Sequence, residues 1–260
     1  MHKEKDVLVY EREKGQKLFL VGVTLSHKVG ALADVSSRLG RGKLSLLSGF
    51  IGTPDEDGYG RFSFYAVATE GKPSSSEVRR MLEGSEFVKS VEVEEAHRGM
   101  LVDSLNFPLR WNSGDRAIVI RTSFFSVMEE SMRALLASGA EIILYQMGFN
   151  HGRPSWASLL RDLTVEDRRD LEEMLSIYMA VGWGRPEVES FDKGSKKATF
   201  KVWDNFEAEV KIKIHSTGCQ FFRGHMAGLF SVLFDVDEAK LKETQCISKG
   251  AKACEFSASA

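Results

Sequence analysis

The sequence predicts two unlike α+β domains in a chain of 260 residues. Three observations support this prediction. The chain is longer than one ordinary domain of ~100–200 residues. A strand–helix–strand–strand–helix–strand order runs to about residue 95, and a different order begins at about residue 99. Hydrophobic residues make up 43% and charged residues 28%, the balance of a folded globular chain. We place the domains at 15–97 and 105–260.

The first domain begins with a strand and an amphipathic helix. The apolar run 18–24 has the length of a strand, and the polar residues 26–28 that follow it predict a loop. Apolar residues then recur at the spacing of a helix, at Val29, Leu32, Val35 and Leu39.

A β-hairpin, a second helix and a fourth strand complete this domain. Ser74 and Glu77 form the Ser-x-x-Glu pattern of a capping box, which predicts a helix from there to Gly84. Alternating apolar residues predict the strands, at Leu44/Leu46, Phe62/Phe64/Ala66 and Phe87/Val91/Val93. The resulting βαββαβ order is typical of a ferredoxin-like sheet with two helices on one face.

The second domain is expected to combine an antiparallel sheet with several helices. A strand at 116–121 precedes a helix with Ser123 at its N-cap, and Thr164 caps a later helix. The other predicted elements are a helical stretch at 141–160 interrupted by Gly148, Gly152 and Pro154, strands at 186–191, 198–203 and 207–214, a helix at 220–234, and closing strands near 241–247 and 253–257.

Composition excludes several classes of function. The 35 basic and 37 acidic side chains give a net charge of -2, and no basic stripe is visible, so a nucleic-acid binder is not expected. The longest apolar stretches fall far short of the ~20 residues of a membrane span. The first six residues carry alternating charge with no apolar segment after them, so we expect a cytoplasmic protein without a secretory signal.

The three cysteines of the chain form the strongest chemical signal. Cys219 lies where a strand gives way to a helix, and Cys246 and Cys254 flank a tight turn between two strands that can fold them together. With Glu243 they make a complete tetrahedral set for structural Zn(II), with no position left for water. The alternative is that the cysteines are simply small buried apolar residues.

The second domain resembles the 4-vinyl reductase domain family over about residues 105–257. The resemblance rests on Gly218-Cys219-x4-Gly224-His225-x2-Gly228, on Glu243-x2-Cys246-x3-Gly250-x3-Cys254, on Tyr145-x2-Gly148-x3-Gly152, on Gly182-Trp183-Gly184 and on the segment 203–209. The family includes aromatic-sensing domains of bacterial activators and shares its fold with the TRAPP subunits of vesicle tethering. In the aromatic-sensing members the matching three cysteines and glutamate bind zinc, which carries over to the four residues named above.

The resemblance also implies a mostly apolar pocket for a hydrophobic or aromatic small molecule. Aromatic residues concentrate in this domain, and the candidate ligand-binding residues are Phe149, Trp183, Trp203 and His225. Pockets of this kind combine apolar walls with a few polar groups. The alternative is that these rings are ordinary core residues.

The first domain resembles the ACT regulatory fold over about residues 16–95. The segment 26–35 matches the loop that binds amino acids in that family, where Asn or Asp and Pro precede the glycine. Here His27 and Val29 take those two positions, and Gly30 keeps the glycine that lets a ligand approach the helix N-terminus. An amino acid is therefore a candidate ligand at His27 and Gly30, and a glycine that only eases the turn is the alternative.

Catalytic motifs are absent from the sequence. No Gly-rich phosphate loop, H-E-x-x-H or G-x-S-x-G occurs, so no catalytic residue is assigned and an enzyme is the less favoured interpretation. We expect a non-catalytic ligand sensor or regulatory protein. A reductase or accessory subunit in tetrapyrrole metabolism, and a TRAPP-like structural adaptor, are the two alternatives.

A homodimer is also expected. Sheet edges of ACT-like domains need covering, and Gly224 and Gly228 lie four apart on the predicted helix 220–234, where another helix could approach closely. The alternative is that these glycines admit a neighbour from the same chain.

Overall fold

The computed structural model describes residues 9–11, 16–68, 73–96, 100–111, 115–161, 163–214 and 218–260. The chain divides into two compact units, Met1–Ile118 and Val119–Ala260. Both are mixed α+β, and each contains a four-stranded antiparallel sheet. The predicted domain limits 15 and 97, and the charged segment at residues 1–6, lie outside the described residues.

The described residues of the first unit form six strands and two helices. They are β1 (Val9–Glu11), β2 (Lys17–Ser26), α1 (Ala31–Arg41), β3 (Leu44–Ile51), β4 (Tyr59–Ala68), α2 (Ser75–Glu83), β5 (Val88–Glu95) and β6 (Met100–Val102). Four of the strands form a sheet in the order β3-β4-β2-β5, and β1 pairs with β6. The capping box at the start of α2 is confirmed, because Ser74 and Glu77 each accept a hydrogen bond from the other's backbone N–H.

The central strand β2 is buried on both faces of its sheet. Phe19, Val21 and Val23 belong to one apolar cluster with residues of α1 and α2. Leu18 and Leu20 alternate with them and belong to a separate cluster on the opposite face. This double burial explains why the run 18–24 is continuously apolar.

Two residues that were expected on the buried face of α1 are exposed. The helix starts only at Ala31, after Gly30 with a φ of 93°, so Val29 lies outside it and is 103% exposed. Leu32 is 41% exposed, and Ala31 is the buried residue of the first turn. Val35 and Leu39 are buried as predicted.

The second unit places helices beside a sheet with the order β7-β8-β10-β9. Its elements are α3 (Thr122–Leu136), α4 (Gly139–Leu159), α5 (Arg168–Leu175), α6 (Ile177–Ala180), β7 (Arg185–Asp192), β8 (Lys197–Trp203), α7 (Phe206–Ile214), α8 (Gln220–Phe234), β9 (Lys240–Gln245), a 3₁₀ turn (Ile247–Lys249) and β10 (Cys254–Ser259). The helix predicted at 220–234 is confirmed with those bounds.

One predicted strand and two predicted helix caps in this half of the chain are wrong. Residues 117–120 are not a strand, and α3 begins at Thr122 with Arg121 as its N-cap, so Ser123 is no cap. Thr164 lies before α5, whose N-cap is Asp167 in a capping box with Asp170. Asp167, three residues after Thr164, accepts the N3 amide hydrogen bond and is therefore the cap in place of the predicted Thr.

The segment predicted as a strand at 207–214 forms helix α7. Its Glu-Ala-Glu-Val-Lys-Ile-Lys-Ile sequence alternates with the period of a strand. In the structure, however, the Asn205 side chain accepts from the Glu207 amide, 3.0 Å away. The Glu207 carboxylate in turn accepts hydrogen bonds from Phe221 and Phe222. These tertiary contacts override the alternating pattern.

Helix α4 runs unbroken through the residues expected to interrupt it, including Pro154. Gly148 and Gly152 face α8, and Gly224 and Gly228 of α8 face α4 in return. A Cβ atom added at any of the four would overlap backbone atoms of the opposite helix. The close helix approach predicted at Gly224 and Gly228 is therefore made by α4 of the same chain, so these glycines give no support to a dimer.

Candidate functional site

The four predicted metal ligands converge at one end of α8. Cys219 is the N-cap of that helix, and Cys254 is the first residue of β10. Glu243 lies on β9, and Cys246 follows its last residue. A 3₁₀ turn and Gly250, at a φ of 92°, reverse the chain between the two strands. One ligand atom from each of the four residues lies within 4.8 Å of the others.

The sulfur atoms of the cluster form a regular triangle. All three Sγ···Sγ distances are 3.8 Å, and the three side chains are buried. The thiols of Cys219 and Cys254 hydrogen-bond to the Cys246 sulfur and lower its pKa, whereas the same contacts raise the pKa of Cys219. The backbone N–H of Ile247 points at the Cys254 sulfur, 3.5 Å away. Such N–H groups favour thiolates as metal ligands.

Glu243 supplies an oxygen to this cluster. Its Oε2 accepts a hydrogen bond from the Cys219 backbone N–H at 2.9 Å. Its Oε1 is buried and has no hydrogen-bond partner among the described residues. Burial raises the pKa of this carboxyl to about 7. A buried oxygen without a partner is costly unless something binds it, so Oε1 is the atom free to act as a ligand.

Glu207 organises the same end of α8 and was missed by the sequence analysis. It is fully buried, and its carboxylate accepts from the N–H groups of Phe221 at 3.1 Å and Phe222 at 2.7 Å. These are two of the amides left unpaired at a helix start. Its negative charge also suits the positive end of the helix. Glu207 thus fixes the first turn of the helix that begins at Cys219.

A second candidate site lies further along α8, where aromatic side chains contact His225. We define the aromatic cluster as Trp156, Tyr178, Trp183, Phe206, Phe221 and Phe222. His225 is 4% exposed, and the centroid of its ring lies 5.0 Å from that of Trp183 in an edge-to-face arrangement. The structure therefore brings together two of the four candidate ligand residues.

The other two candidates make no ring contact with this cluster in the described part of the chain. Phe149 stacks on Tyr145 with 6.5 Å between the ring centroids. The indole N–H of Trp203 donates to Glu187 Oε2 at 2.9 Å. Among the described residues, Trp203 has no ring contact with the cluster.

The polar centre of the aromatic cluster consists of His225, His151 and Trp156. The Trp156 N–H donates to His225 Nε2 at 3.1 Å, and the Nδ1 atoms of the two histidines are 3.1 Å apart. Burial lowers the pKa of His225 to about 3 and also lowers that of His151. Tyr178 is buried beside this centre, with its ring centroid 5.8 Å from those of Trp156 and His225, and burial raises the pKa of its hydroxyl well above the usual value. The position of His151 next to Gly152, on the face of α4 that meets α8, is the sequence signal that could have identified it.

The candidate amino-acid loop of the first unit is open to solvent. His27 is exposed, and its backbone N–H donates to the Gly58 carbonyl at 2.8 Å. Gly30 is the N-cap of α1 and makes no side-chain cap. Apart from its neighbours along the chain, no described heavy atom lies within 4 Å of a Cβ built on it.

Comparisons with known proteins bear on the fold. No family model matches the chain, and no curated protein matches it. The phenol-responsive sensory domain of the transcription activator PoxR, in a crystal structure with phenol, is 19% identical and has a TM-score of 0.50. The match covers 57% of this chain and 79% of that domain.

Two further solved structures are more distant. A vinyl-4-reductase family protein from Methanocaldococcus jannaschii is 16% identical, covering 55% of this chain and 82% of that one, with a TM-score of 0.36. A trafficking protein particle complex subunit 3 from Naegleria fowleri, covalently bound to palmitic acid, is 12% identical, covering 53% and 93%, with a TM-score of 0.37. No helix in the described residues is long and apolar enough to cross a membrane. Over more than half of its length the chain is similar in fold to the PoxR phenol-responsive sensory domain.

Proposed function

We propose that this protein is a non-catalytic, cytoplasmic ligand sensor whose second domain, 105–260, binds an aromatic small molecule. The observation that carries the proposal is the fold shared with the PoxR sensory domain, which was crystallised with phenol. The aromatic cluster around His225 supplies apolar walls and a polar group, the combination that small-molecule sites use. The first domain, 15–97, would be a ferredoxin-like ACT module, with His27 and Gly30 as its candidate amino-acid loop.

The metal of the proposed sensor is structural zinc. In a tetrahedral site the distance between two ligands is about 1.63 times the bond length, so Zn–S bonds of about 2.3 Å require S···S distances of about 3.8 Å. All three sulfur pairs have this spacing. The unpartnered Oε1 of Glu243 provides the fourth ligand. Bound there, zinc would join the start of α8 to the β9–β10 turn and would leave no coordination position for chemistry.

A homodimer formed through α3 and α4 also belongs to the proposal. Helix α3 buries Ser126 and Glu129, whereas its outward residues include Leu135, which is 82% exposed. An ordinary surface helix buries apolar side chains and exposes polar ones, and α3 shows the opposite distribution at these positions. We define the α3–α4 apolar surface by its exposed residues Phe124, Val127, Leu135, Leu136, Ile142, Ile143 and Met147.

The size of this surface favours a second copy of the chain as its occupant. At about half exposure each, its seven side chains offer on the order of 700 Å², close to the ~800 Å² per partner of a standard interface. Exposed apolar patches larger than a few hundred Å² mark interaction sites. A two-fold axis through this surface would bury the same apolar residues on both copies of the chain.

Thermal unfolding of the full-length protein with phenol, and with cyclohexanol as the matched non-aromatic control, tests the sensor. A ligand at about 100 times its Kd stabilises the native state by about 2.7 kcal/mol. We expect phenol or a substituted phenol to raise Tm by several degrees and cyclohexanol to have a much smaller effect. A panel of aromatic compounds that leaves Tm unchanged would reject the sensor and favour the adaptor.

A further inference from the structure

Three arginines from the two helices of the first unit line one open pocket. Arg38 and Arg41 lie in the last turn of α1, and Arg80 lies in the last turn of α2. With Gly42 and Met81 they enclose a volume of about 340 Å³, which we call the arginine pocket. A Cβ atom added at Gly42 would overlap the end of the Met81 side chain. The C-terminal end of α1 is therefore in contact with α2.

Arg38 joins the two helices and has its own counter-charge. Its Nε donates to Asp34 Oδ2 at 2.7 Å, and its Nη1 donates to the Met81 carbonyl oxygen at 3.2 Å. The side chains of Arg38 and Asp34 are 23% and 27% exposed, so the ion pair is partly shielded from water. Arg38 thus holds one wall of the pocket in place, while its charge is compensated within α1.

Arg41 and Arg80 have no such counter-charge. Both are exposed, and neither forms an ion pair with a carboxylate in the described part of the chain. The Nε of Arg80 donates to the Ser76 carbonyl of its own helix at 3.5 Å. A cation at a helix C-terminus is favourable, which explains each arginine by itself. It does not explain two guanidinium groups from different helices around one pocket, because like charges held close together repel each other.

We propose that the arginine pocket binds a dianionic phosphate group. A phosphate monoester carries about two negative charges at neutral pH, which matches the two uncompensated guanidinium groups, whereas a carboxylate compensates only one. Guanidinium groups also pair with phosphate oxygens in a bidentate geometry. The pocket volume lies in the range of small-molecule sites. The net charge of -2 and the lack of a basic stripe argue against a nucleic-acid backbone as the source of the phosphate.

This site is separate from the two ligand sites proposed above. Gly30 precedes α1 and Arg41 is its last residue, so about 15 Å of helix separates the candidate amino-acid loop from the arginine pocket. The aromatic cluster belongs to the second unit. The proposal therefore gives the first domain a phosphorylated ligand of its own, and it does not depend on the aromatic sensor.

Isothermal titration calorimetry of the full-length protein at constant ionic strength tests the proposal. Inorganic phosphate supplies the free anion, AMP supplies a phosphate monoester, and adenosine and acetate are the controls without phosphate. We expect phosphate, AMP or both to bind at one site per chain and neither control to bind. Binding of AMP tighter than that of phosphate identifies an ester as the ligand, and the reverse order identifies the free anion. The affinity should fall several-fold from pH 7.5 to pH 5, because the phosphate group takes up a second proton near pH 6.

Variants at exposed positions separate this pocket from the rest of the surface. Arg41→Gln/Arg80→Gln should weaken phosphate binding by at least about 10-fold, the effect of losing charge-assisted hydrogen bonds. Arg41→Lys/Arg80→Lys keeps both charges and should recover only part of the affinity, because an ammonium group cannot bind in a bidentate geometry. Arg79→Gln removes an exposed arginine of α2 that does not line the pocket, and it should bind like wild type.

Thermal unfolding gives an independent reading of the same comparison. Phosphate should raise the Tm of wild type and of Arg79→Gln, but not that of Arg41→Gln/Arg80→Gln. The unfolding transition also shows that each variant is folded. Absence of phosphate binding in wild type, equal affinity in the Gln double variant, or equal binding of acetate would overturn the proposal. None of these results changes the response to phenol, so the aromatic sensor stands or fails on its own assay.

Discussion

Gly152 of α4 lies against the backbone of His225 so closely that a Cβ on the glycine would overlap the His225 carbonyl oxygen. The two helices therefore meet backbone to backbone at the level of the histidine pair. The position of His225 relative to His151 depends on this contact, because no side chain separates the helices there.

Gly152→Ala should destabilise the protein. The added methyl group forces α4 away from α8, and overpacking of this kind costs about 1–3 kcal/mol. Urea denaturation measures the loss. Gly139→Ala in the same helix is the control, since its Cβ would make only an ordinary contact with Leu136 at 3.8 Å. Equal stability of the two variants would contradict the close contact.

Cys254→Ser should release the metal and destabilise the second unit. We expect about one zinc per chain in protein prepared without chelator, measured by elemental analysis. We also expect a loss of more than about 4 kcal/mol in the variant, because a structural zinc contributes its binding energy to folding. Ser257→Ala, on the same strand, should retain the zinc. Wild-type protein without any bound metal would reject the zinc site.

His225 should make stability depend on pH. Burial lowers its pKa from 6.5 to about 3 in the folded state, so below pH 6.5 the unfolded chain takes up a proton that the folded protein refuses. Its contribution is complete above pH 6.5 and is lost as the pH falls towards 3. Between pH 8 and pH 5 the loss is about 2 kcal/mol.

The difference between wild type and His225→Phe isolates this effect from other titrating groups. The unfolding free energy of the variant should fall by about 2 kcal/mol less over that range. Gly139→Ala changes no titratable group and should keep the wild-type dependence on pH. Identical slopes for wild type and His225→Phe would show that the histidine is not held neutral.

Leu135→Lys should dissociate the dimer. The substitution places a charge on the α3–α4 apolar surface, where a second copy would have to desolvate it. Light scattering should give twice the chain mass of 29.0 kDa for wild type and the single chain mass for the variant. Ala157→Lys, at an exposed position of α4 outside that surface, should remain dimeric. A monomeric wild type would remove the dimer altogether.

The four residues of the candidate metal site could be predicted because their chemistry is local. Cys246 and Cys254 flank a short turn, and only the convergence of Cys219 with them required long-range structure. Glu207 could not be found in the same way. Its segment alternates like a strand, and the helix it forms depends on amides of α8 that come much later in the sequence.

The contacts of the aromatic side chains also could not be predicted from the sequence. In the sequence, Trp183 and Trp203 are equally good candidates, because each is a large aromatic residue beside a glycine or an acidic residue. One packs on His225, whereas the other donates to Glu187 on the neighbouring strand. Helix propensity describes an isolated helix, so it predicts that Gly148 and Gly152 interrupt α4. In the protein, α8 packs against both glycines and stabilises the helix.

The contact between α4 and α8 bears on the order in which the chain acquires structure. Trp156 and His225 are 69 positions apart, and β10, the last strand, lies between β8 and β9 in its sheet. The strands of the four-stranded sheet of the first unit all lie within residues 17–95, so that unit can complete this sheet early during synthesis. The second unit must hold α4 without its partner until α8 and β10 have emerged. During that interval the apolar faces of the second unit are accessible to proteases and to other nascent chains. We therefore expect the second unit to fold more slowly than the first and to be the part more exposed to degradation and aggregation.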